Sequence, residues 1–356
     1  MGRAEDAAVR LADGRVLILG GIRRPTFCHS MDCILPITAS VEIYDPRTGK
    51  FSRNGSLAGP RAYFQALLLD DGRVLVAGGY LPNDNTRPQD IDITTLEIYD
   101  PARGKSVVVK QPKGLKLPAR PTVVLLADGR ALIVGGSYGD DSSPSNVTLI
   151  FDPASGRFSK GPLLATPREG ATATLLSDGR VLVAGGSGLR WSDSNSAEVI
   201  KPLAPLSQST LMSTGDRNLG FEPISSLLSD GRVLVTIGTP DDARLPGTPE
   251  VFDPGTGRFT MTGPLIAPSY DSTVIKIQDG RVVFFGGYGA NAGTVEAFDP
   301  GSNTFQVIAK GFPEIGEFSA TLLDDGRILI AGGSGSGDGV DDHLANDWAA
   351  TWFLKP

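Results

Sequence analysis

Short apolar runs alternate with polar turns along this chain, and no long amphipathic stretch interrupts them. The clearest instance is Ala66-Leu67-Leu68-Leu69, then Asp71-Gly72-Arg73, then Val74-Leu75-Val76-Ala77, closed by Gly78-Gly79. Apolar runs on either side of Asp-Gly predict a tight β-hairpin, because glycine accepts the positive φ that a type I′ turn demands. Further on, Leu96-Glu97-Ile98-Tyr99-Asp100-Pro101 reads as a third strand, stopped by a proline that cannot continue a ladder. A single unit of this kind cannot bury both faces of its sheet, so it has to be repeated.

The Asp-Gly-Arg turn recurs at Asp13, Asp71, Asp128, Asp178, Asp230, Asp279 and Asp325, at intervals of 58, 57, 50, 52, 49 and 46 residues. Glycine pairs close the next strand at Gly20, Gly78, Gly135, Gly185, Gly286 and Gly332, with Ile237-Gly238 as a degenerate copy. The Glu-x-aromatic-Asp-Pro strand returns at Glu42, Glu97, Glu250 and Glu296, with weaker copies ending at Pro153 and Pro202. A fourth strand follows at Phe51, Phe158, Phe259 and Phe305. Four short strands per period of about fifty residues is the pattern of a β-propeller blade.

The order hairpin, glycine pair, Glu-x-Tyr-Asp-Pro, Thr-Gly-Lys-Phe and then Pro60-Arg61 or Pro167-Arg168 resembles the kelch repeat in its bacterial form, over essentially the whole chain. The resemblance implies an all-β, seven-bladed kelch-type propeller as one domain spanning 1–356, with blades near 1–55, 56–112, 113–162, 163–215, 216–263, 264–310 and 311–356. It fixes the fold better than the function, because kelch propellers include oxidases, isomerases, metal-dependent lyase-like proteins and binding modules. Galactose-oxidase-like members bind copper through two histidines and two tyrosines, one cross-linked to cysteine. No Tyr-His pair occurs here, which argues against copper-radical chemistry. Asp338, Asp341 and His343 do not match the iron spacing of plant specifier-like members, and no motif selects the sialic-acid-epimerase-like ones.

Composition narrows the picture further. A net charge of −7 and a pI near 5.0 argue against a nucleic-acid surface. No apolar run approaches the roughly eighteen residues of a membrane span. The start, residues 1–6, lacks the apolar segment of a signal peptide, so the chain reads as cytoplasmic as written and as secreted if a leader was removed. Residues 351–356 align with a third strand, which makes the last blade three-stranded with no swapped strand from residues 1–8. Oligomeric state leaves no trace in the sequence.

Loops at the mouth of a propeller, held by a rigid frame, are where a ligand is expected. Eight residues before each turn aspartate, at the start of the innermost strand, stand Glu5, Tyr63, Arg120, Gly170, Glu222, Asp271 and Glu317. Glu222, Asp271, Glu317 and Glu5 fall in consecutive blades, and such carboxylates raise one another's pKa unless a cation answers them. They are the candidate catalytic residues. On the opposite half, Arg61, Tyr63, Arg120 and Arg168, with Tyr270, are candidates for binding substrate. The strand-start arginines also read as part of the repeat, bracing neighbouring blades.

Both histidines and both cysteines of the chain lie in two loops of neighbouring blades, 22–33 and 338–343. His29 and His343, with Asp341 or Asp342, form a candidate divalent-metal site beside Glu5 and Glu317, suited to Zn, Mn, Fe, Ni or Ca. Cys28 and Cys33 are open to a disulfide, to free thiols or to metal ligation. The leading expectation is a metal-dependent hydrolase acting on an ester or phosphoester substrate with an anionic group. The alternative is a non-catalytic carbohydrate- or peptide-binding propeller, with Tyr63, Tyr80, Tyr138, Trp191, Tyr270 and Tyr288 as stacking platforms.

Overall fold

The computed structural model describes residues 3–23, 36–81, 91–138, 143–187, 196–204, 210–213, 223–236, 249–267, 272–288, 291, 293–335 and 352–354. Every described element is a strand. Among the described residues the strands form four separate four-stranded sheets, one eight-stranded sheet made of two four-stranded antiparallel units, one three-stranded sheet and three two-stranded ribbons; the seven larger antiparallel units are numbered blades 1 to 7 in chain order. The innermost strands are Ala7–Arg10, Gln65–Leu68, Thr122–Leu125, Thr172–Leu175, Ser225–Leu227, Thr273–Lys276 and Ile315–Leu322. Each touches the next, and the seventh touches the first, so the ring closes. The chain is a β-propeller.

The second strands explain why this ring is stable. Val16–Leu19, Val74–Ala77, Ala131–Val134, Val181–Ala184 and Val282–Phe285 are buried at every position, on both faces. Each face packs against a neighbouring blade. Val9, Leu17 and Val41 of blade 1 meet Val74, Val76 and Tyr99 of blade 2, and a comparable cluster lies at every seam. Val16, Ile18 and Tyr44 meet Leu323, Leu329 and Ala331 where blade 7 returns to blade 1. Each buried Val or Leu is worth about 1.5–3 kcal/mol relative to exposure, which the single unit could not collect.

The turn type differs from the one the sequence predicts. Leu11 N–H donates to Arg15 O at 2.8 Å and Gly14 N–H to Leu11 O at 3.0 Å. Of the loop residues 12–14 only Gly14 has a left-handed φ, 85°. This is a three-residue loop, a type I turn followed by a glycine bulge, whereas type I′ would need positive φ at two residues. The aspartate has a second task. Asp13 accepts from the Arg15 amide at 3.1 Å and from Arg15 Nε at 2.8 Å, and the arginine holds its carboxyl below the usual range. In blades 2, 4 and 5 the same arginine reaches the next blade, where Arg73, Arg180 and Arg232 donate to the carbonyls of Pro153, Pro254 and Pro300 at 3.2, 2.8 and 2.7 Å.

Residues 3–10 do not form the outer edge of blade 7. Arg3–Ala4 pairs with Ile22–Arg23, and Ala7–Arg10 is the innermost strand of blade 1. Blade 7 has three described strands, the third being Trp352–Leu354. Blades 1 and 2 share one sheet because their outer strands, Lys50–Ser56 and Lys105–Val108, meet in parallel at Ser56 and Lys105. Tyr99 Oη donates to Asn54 Oδ1 at 2.6 Å across that join.

Candidate functional site

The mouth is built by one kink repeated in every blade where it is described. Register places Glu5 opposite Gly21, Tyr63 opposite Gly79, Arg120 opposite Gly136, Gly170 opposite Gly186 and Glu317 opposite Gly333. Both members of each pair are left-handed. The first members have φ of 54°, 51°, 46°, 65° and 56°, and the glycines 89°, 100°, 86°, 86° and 103°. The hairpin therefore bends as a whole at this level, and the second glycine is required because a Cβ at Gly21 would stand 2.6 Å from Ala4 O. A non-glycine residue held at positive φ costs about 1–3 kcal/mol, and such strain clusters at binding and catalytic sites.

The strained residues form a collar. Glu5 N–H donates to Glu317 O at 3.0 Å, and Tyr63 N–H to Glu5 O at 3.4 Å, linking blades 7, 1 and 2. Tyr63 hydrogen-bonds Glu5 through its side chain; burial first, then the charges of Glu5 and Glu317, push its phenol well above the ordinary value. Its hydroxyl thus stays protonated as a donor, while 41 % of the residue faces solvent. Tyr80 packs on Tyr63 with ring centroids 4.9 Å apart, and the Arg120 guanidinium lies 5.5 Å from the centre of the Tyr80 ring. Arg120 also stands 3.4 Å from Asp92 and 3.5 Å from Glu169, a carboxylate of blade 4 that is out of water. Across blades 7 to 4 the order is carboxylate, carboxylate, tyrosine pair, arginine, buried carboxylate.

Two of the arginines expected to bind substrate do not reach this surface. Arg61 is 2 % exposed and Arg168 0 %. Arg61 donates to Gly78 O at 2.9 Å and pairs with Glu97. Arg168 donates to Gly185 O at 2.8 Å, to Ser196 O at 2.9 Å, and pairs with Glu198 at 3.2 Å. Arg3, which sequence reasoning passed over, does the same with Gly20 O at 2.9 Å and Glu42 at 2.7 Å. Each guanidinium ties the strand start, the first glycine of the pair and the third-strand glutamate of its own blade, so the brace runs within a blade and not between neighbours. Burial lowers the pKa of Arg61 and Arg168, and the paired glutamates oppose that. The signal was present in the sequence: blades 1, 2 and 4 carry both the arginine ten residues before the turn aspartate and the third-strand glutamate. In blade 6 Glu296 binds backbone instead, accepting from Ile266 and Ala267 at 2.8 and 2.6 Å.

Glu222, Asp271, Tyr270, Trp191, His29, His343, Asp341, Asp342, Cys28 and Cys33 lie outside the described residues. Among the described residues no group of three or more His, Cys, Asp or Glu is placed to hold a metal ion, and no helix is long and apolar enough to cross a membrane. Of the remaining stacking candidates, Tyr138 Oη donates to Lys116 O at 3.2 Å and the Tyr288 ring lies against Gly316. Asp6, also missed, sits one residue past the collar, where the other blades have Phe64, Pro121, Ala171, Pro223, Ser272 and Phe318. Comparing that single column would have exposed it.

No family model and no curated protein matches the chain. Solved structures do resemble it. The structure of YjhT superposes with a TM-score of 0.62 at 12 % identity, over 87 % of this chain and 98 % of YjhT. A fungal alcohol oxidase of the AA5 family, in complex with copper, superposes with a TM-score of 0.58 at 20 % identity, over 81 % of this chain and 60 % of the oxidase, so the chain spans less than two thirds of that enzyme. At these identities the likeness speaks for the fold alone, an all-β propeller.

Proposed function

We propose that the chain is a ligand-binding propeller that takes a carbohydrate at its mouth. The observation that carries this is the strained run Glu317, Glu5, Tyr63, where two carboxylates lead to a tyrosine that is 41 % exposed. Carboxylates accept hydrogen bonds from hydroxyl groups, and an aromatic face packs on the C–H face of a sugar ring. An anionic substrate group finds less support, since Arg61 and Arg168 are spent inside their blades and Arg120 is already beside Asp92 and Glu169. Calorimetric titration with a panel of neutral mono- and oligosaccharides tests the proposal. Tyr63→Ala is expected to weaken the best ligand by about tenfold or more, the worth of a stacked ring. Absence of any saccharide binding, or binding indifferent to Tyr63→Ala, overturns it.

A second reading, hydrolysis at the same site, is favoured by the hydrogen bond between Tyr63 and Glu5, which holds a carboxylate in a fixed position beside Glu317. In its metal-dependent form His29, His343 and Asp341 or Asp342 would carry a divalent ion next to Glu5. Turnover of chromogenic ester, phosphoester and glycoside substrates, lost in Glu5→Gln and assayed with and without chelator, distinguishes the enzyme from the binding module and the metal form from the metal-free one.

A further inference from the structure

At several seams the residue just past the collar lies in a slot between two glycines, one from its own blade and one from the blade before. Phe64 fills the slot between Gly20 and Gly79, and Phe318 the slot between Gly286 and Gly333. Where blade 7 meets blade 1, the slot between Gly332 and Gly21 holds Asp6: a Cβ on Gly332 would stand 2.8 Å from Asp6 Oδ1, and one on Gly21 2.9 Å from Asp6 Cβ. A short carboxylic acid thus replaces a ring at the seam that closes the propeller.

We infer that Asp6 is a proton-operated latch on the blade 7 to blade 1 seam, tight when its carboxyl is protonated and loosened when it is ionised. This inference is independent of what the mouth binds. Ser319 Oγ lies 2.9 Å from Asp6 Oδ2 and 3.3 Å from Ala331 O. A protonated Asp6 can donate to Ser319 Oγ and free that hydroxyl to donate to Ala331 O, completing the chain. An ionised Asp6 takes the hydroxyl for itself. Its Oδ1 is out of contact with water and has no hydrogen-bond partner among the described residues, a costly position for a charge.

The charged groups that act on Asp6 are Arg3 and Glu42 of its own blade; from blade 7 the Ser319 hydroxyl bonds it and Gly332 stands beside it. Arg3 favours ionisation but is already paired with Glu42 at 2.7 Å. Burial outweighs Arg3, Ser319 and its own amide, and pushes the carboxyl up to about 7. A folded pKa above the unfolded 3.8 means the folded state holds the proton more tightly. Its contribution is therefore complete below about pH 4 and lost as pH rises to about 7. Other seams are bridged at this level by neutral pairs, such as Thr172 and Thr174 with Ser225 at 2.5 Å.

Amide hydrogen exchange of the full chain at about pH 5 and about pH 8.5, corrected for intrinsic rates, tests the latch. In the wild type, amides of Ala7–Arg10 and Ile315–Leu322 are expected to lose about tenfold protection at the higher pH while inner strands of blades 3 to 5 do not. Asp6→Asn should abolish that difference. Ser319→Ala, which removes the hydroxyl that relays the protonated form to Ala331 O, should lower protection at the seam already at about pH 5 and serves if Asp6→Asn does not fold. Identical profiles in wild type and Asp6→Asn, a Ser319→Ala seam as well protected at about pH 5 as the wild type, or loss of protection spread evenly round the ring overturns the inference.

Discussion

Arg61 joins three pieces of its blade at one point: the Gly78 carbonyl, the Glu97 carboxylate and its own strand start. Glu97 in turn accepts from the Ala58 amide at 2.8 Å and from Ser106 Oγ at 2.6 Å. Removing one side of a buried pair leaves the other charged and unanswered, so Arg61→Ala should cost about 3–5 kcal/mol in urea unfolding. Arg61→Lys should recover little, because an ammonium cannot reproduce the fork. Arg120→Ala takes a part-exposed cation from the buried Glu169 and should cost less than Arg61→Ala, about 1–3 kcal/mol. The collar predicts the opposite sign: Glu5→Gly relieves a φ of 54° and should leave stability unchanged or raise it by about 1 kcal/mol, while ligand binding falls. In sequence Arg61, Arg120 and Arg168 look alike. What separates them is place: Arg61 and Arg168 stand ten residues before the turn aspartate and face a third-strand glutamate, whereas Arg120 stands eight before it, on the kink.

At the scale of the hairpin, two glycines of similar conformation should respond very differently to substitution. Gly21 and Gly49 both have positive φ, 89° and 68°, but a Cβ at Gly21 meets the Ala4 carbonyl and Asp6, and one at Gly49 meets nothing within 4 Å. Gly49→Ala should cost about 1 kcal/mol from backbone strain alone, and Gly21→Ala clearly more because the hairpin must open; thermal unfolding of the two variants checks the order. The four-residue apolar runs and the glycine pair made these hairpins legible. The turn type was not, because Asp-Gly serves both a two-residue I′ turn and the glycine end of a three-residue loop. The choice lies with Leu11, whose N–H and C=O bracket the loop. The inter-blade reach of Arg73, Arg180 and Arg232 to a proline carbonyl was equally silent, since it joins residues 80, 74 and 68 apart.

For the whole molecule, repetition made the ring readable from one sequence: every element of the frame appears several times, so its period and its invariants coincide. The mouth is read less well, because the sequence segments 24–35 and 336–350 occur once each and share no column with another repeat. The join of blades 1 and 2 also escaped, as it depends on Gly55 and Gly104 approaching so closely that a Cβ on Gly55 would overlap the Gly104 carbonyl. Gly55→Ala should therefore part the outer strands and raise amide exchange at Lys50–Ser56 and Lys105–Val108 together. The kink has a wider implication. Its conformation is set by the glycine opposite, not by the collar side chain, which is why glutamate, tyrosine, arginine and glycine all stand there. The five described positions can thus be rewritten one at a time without disturbing the scaffold, and changes at non-adjacent ones should add. A propeller of this design can drift from one ligand to another by single codons, and an engineer could use the same freedom as a combinatorial alphabet.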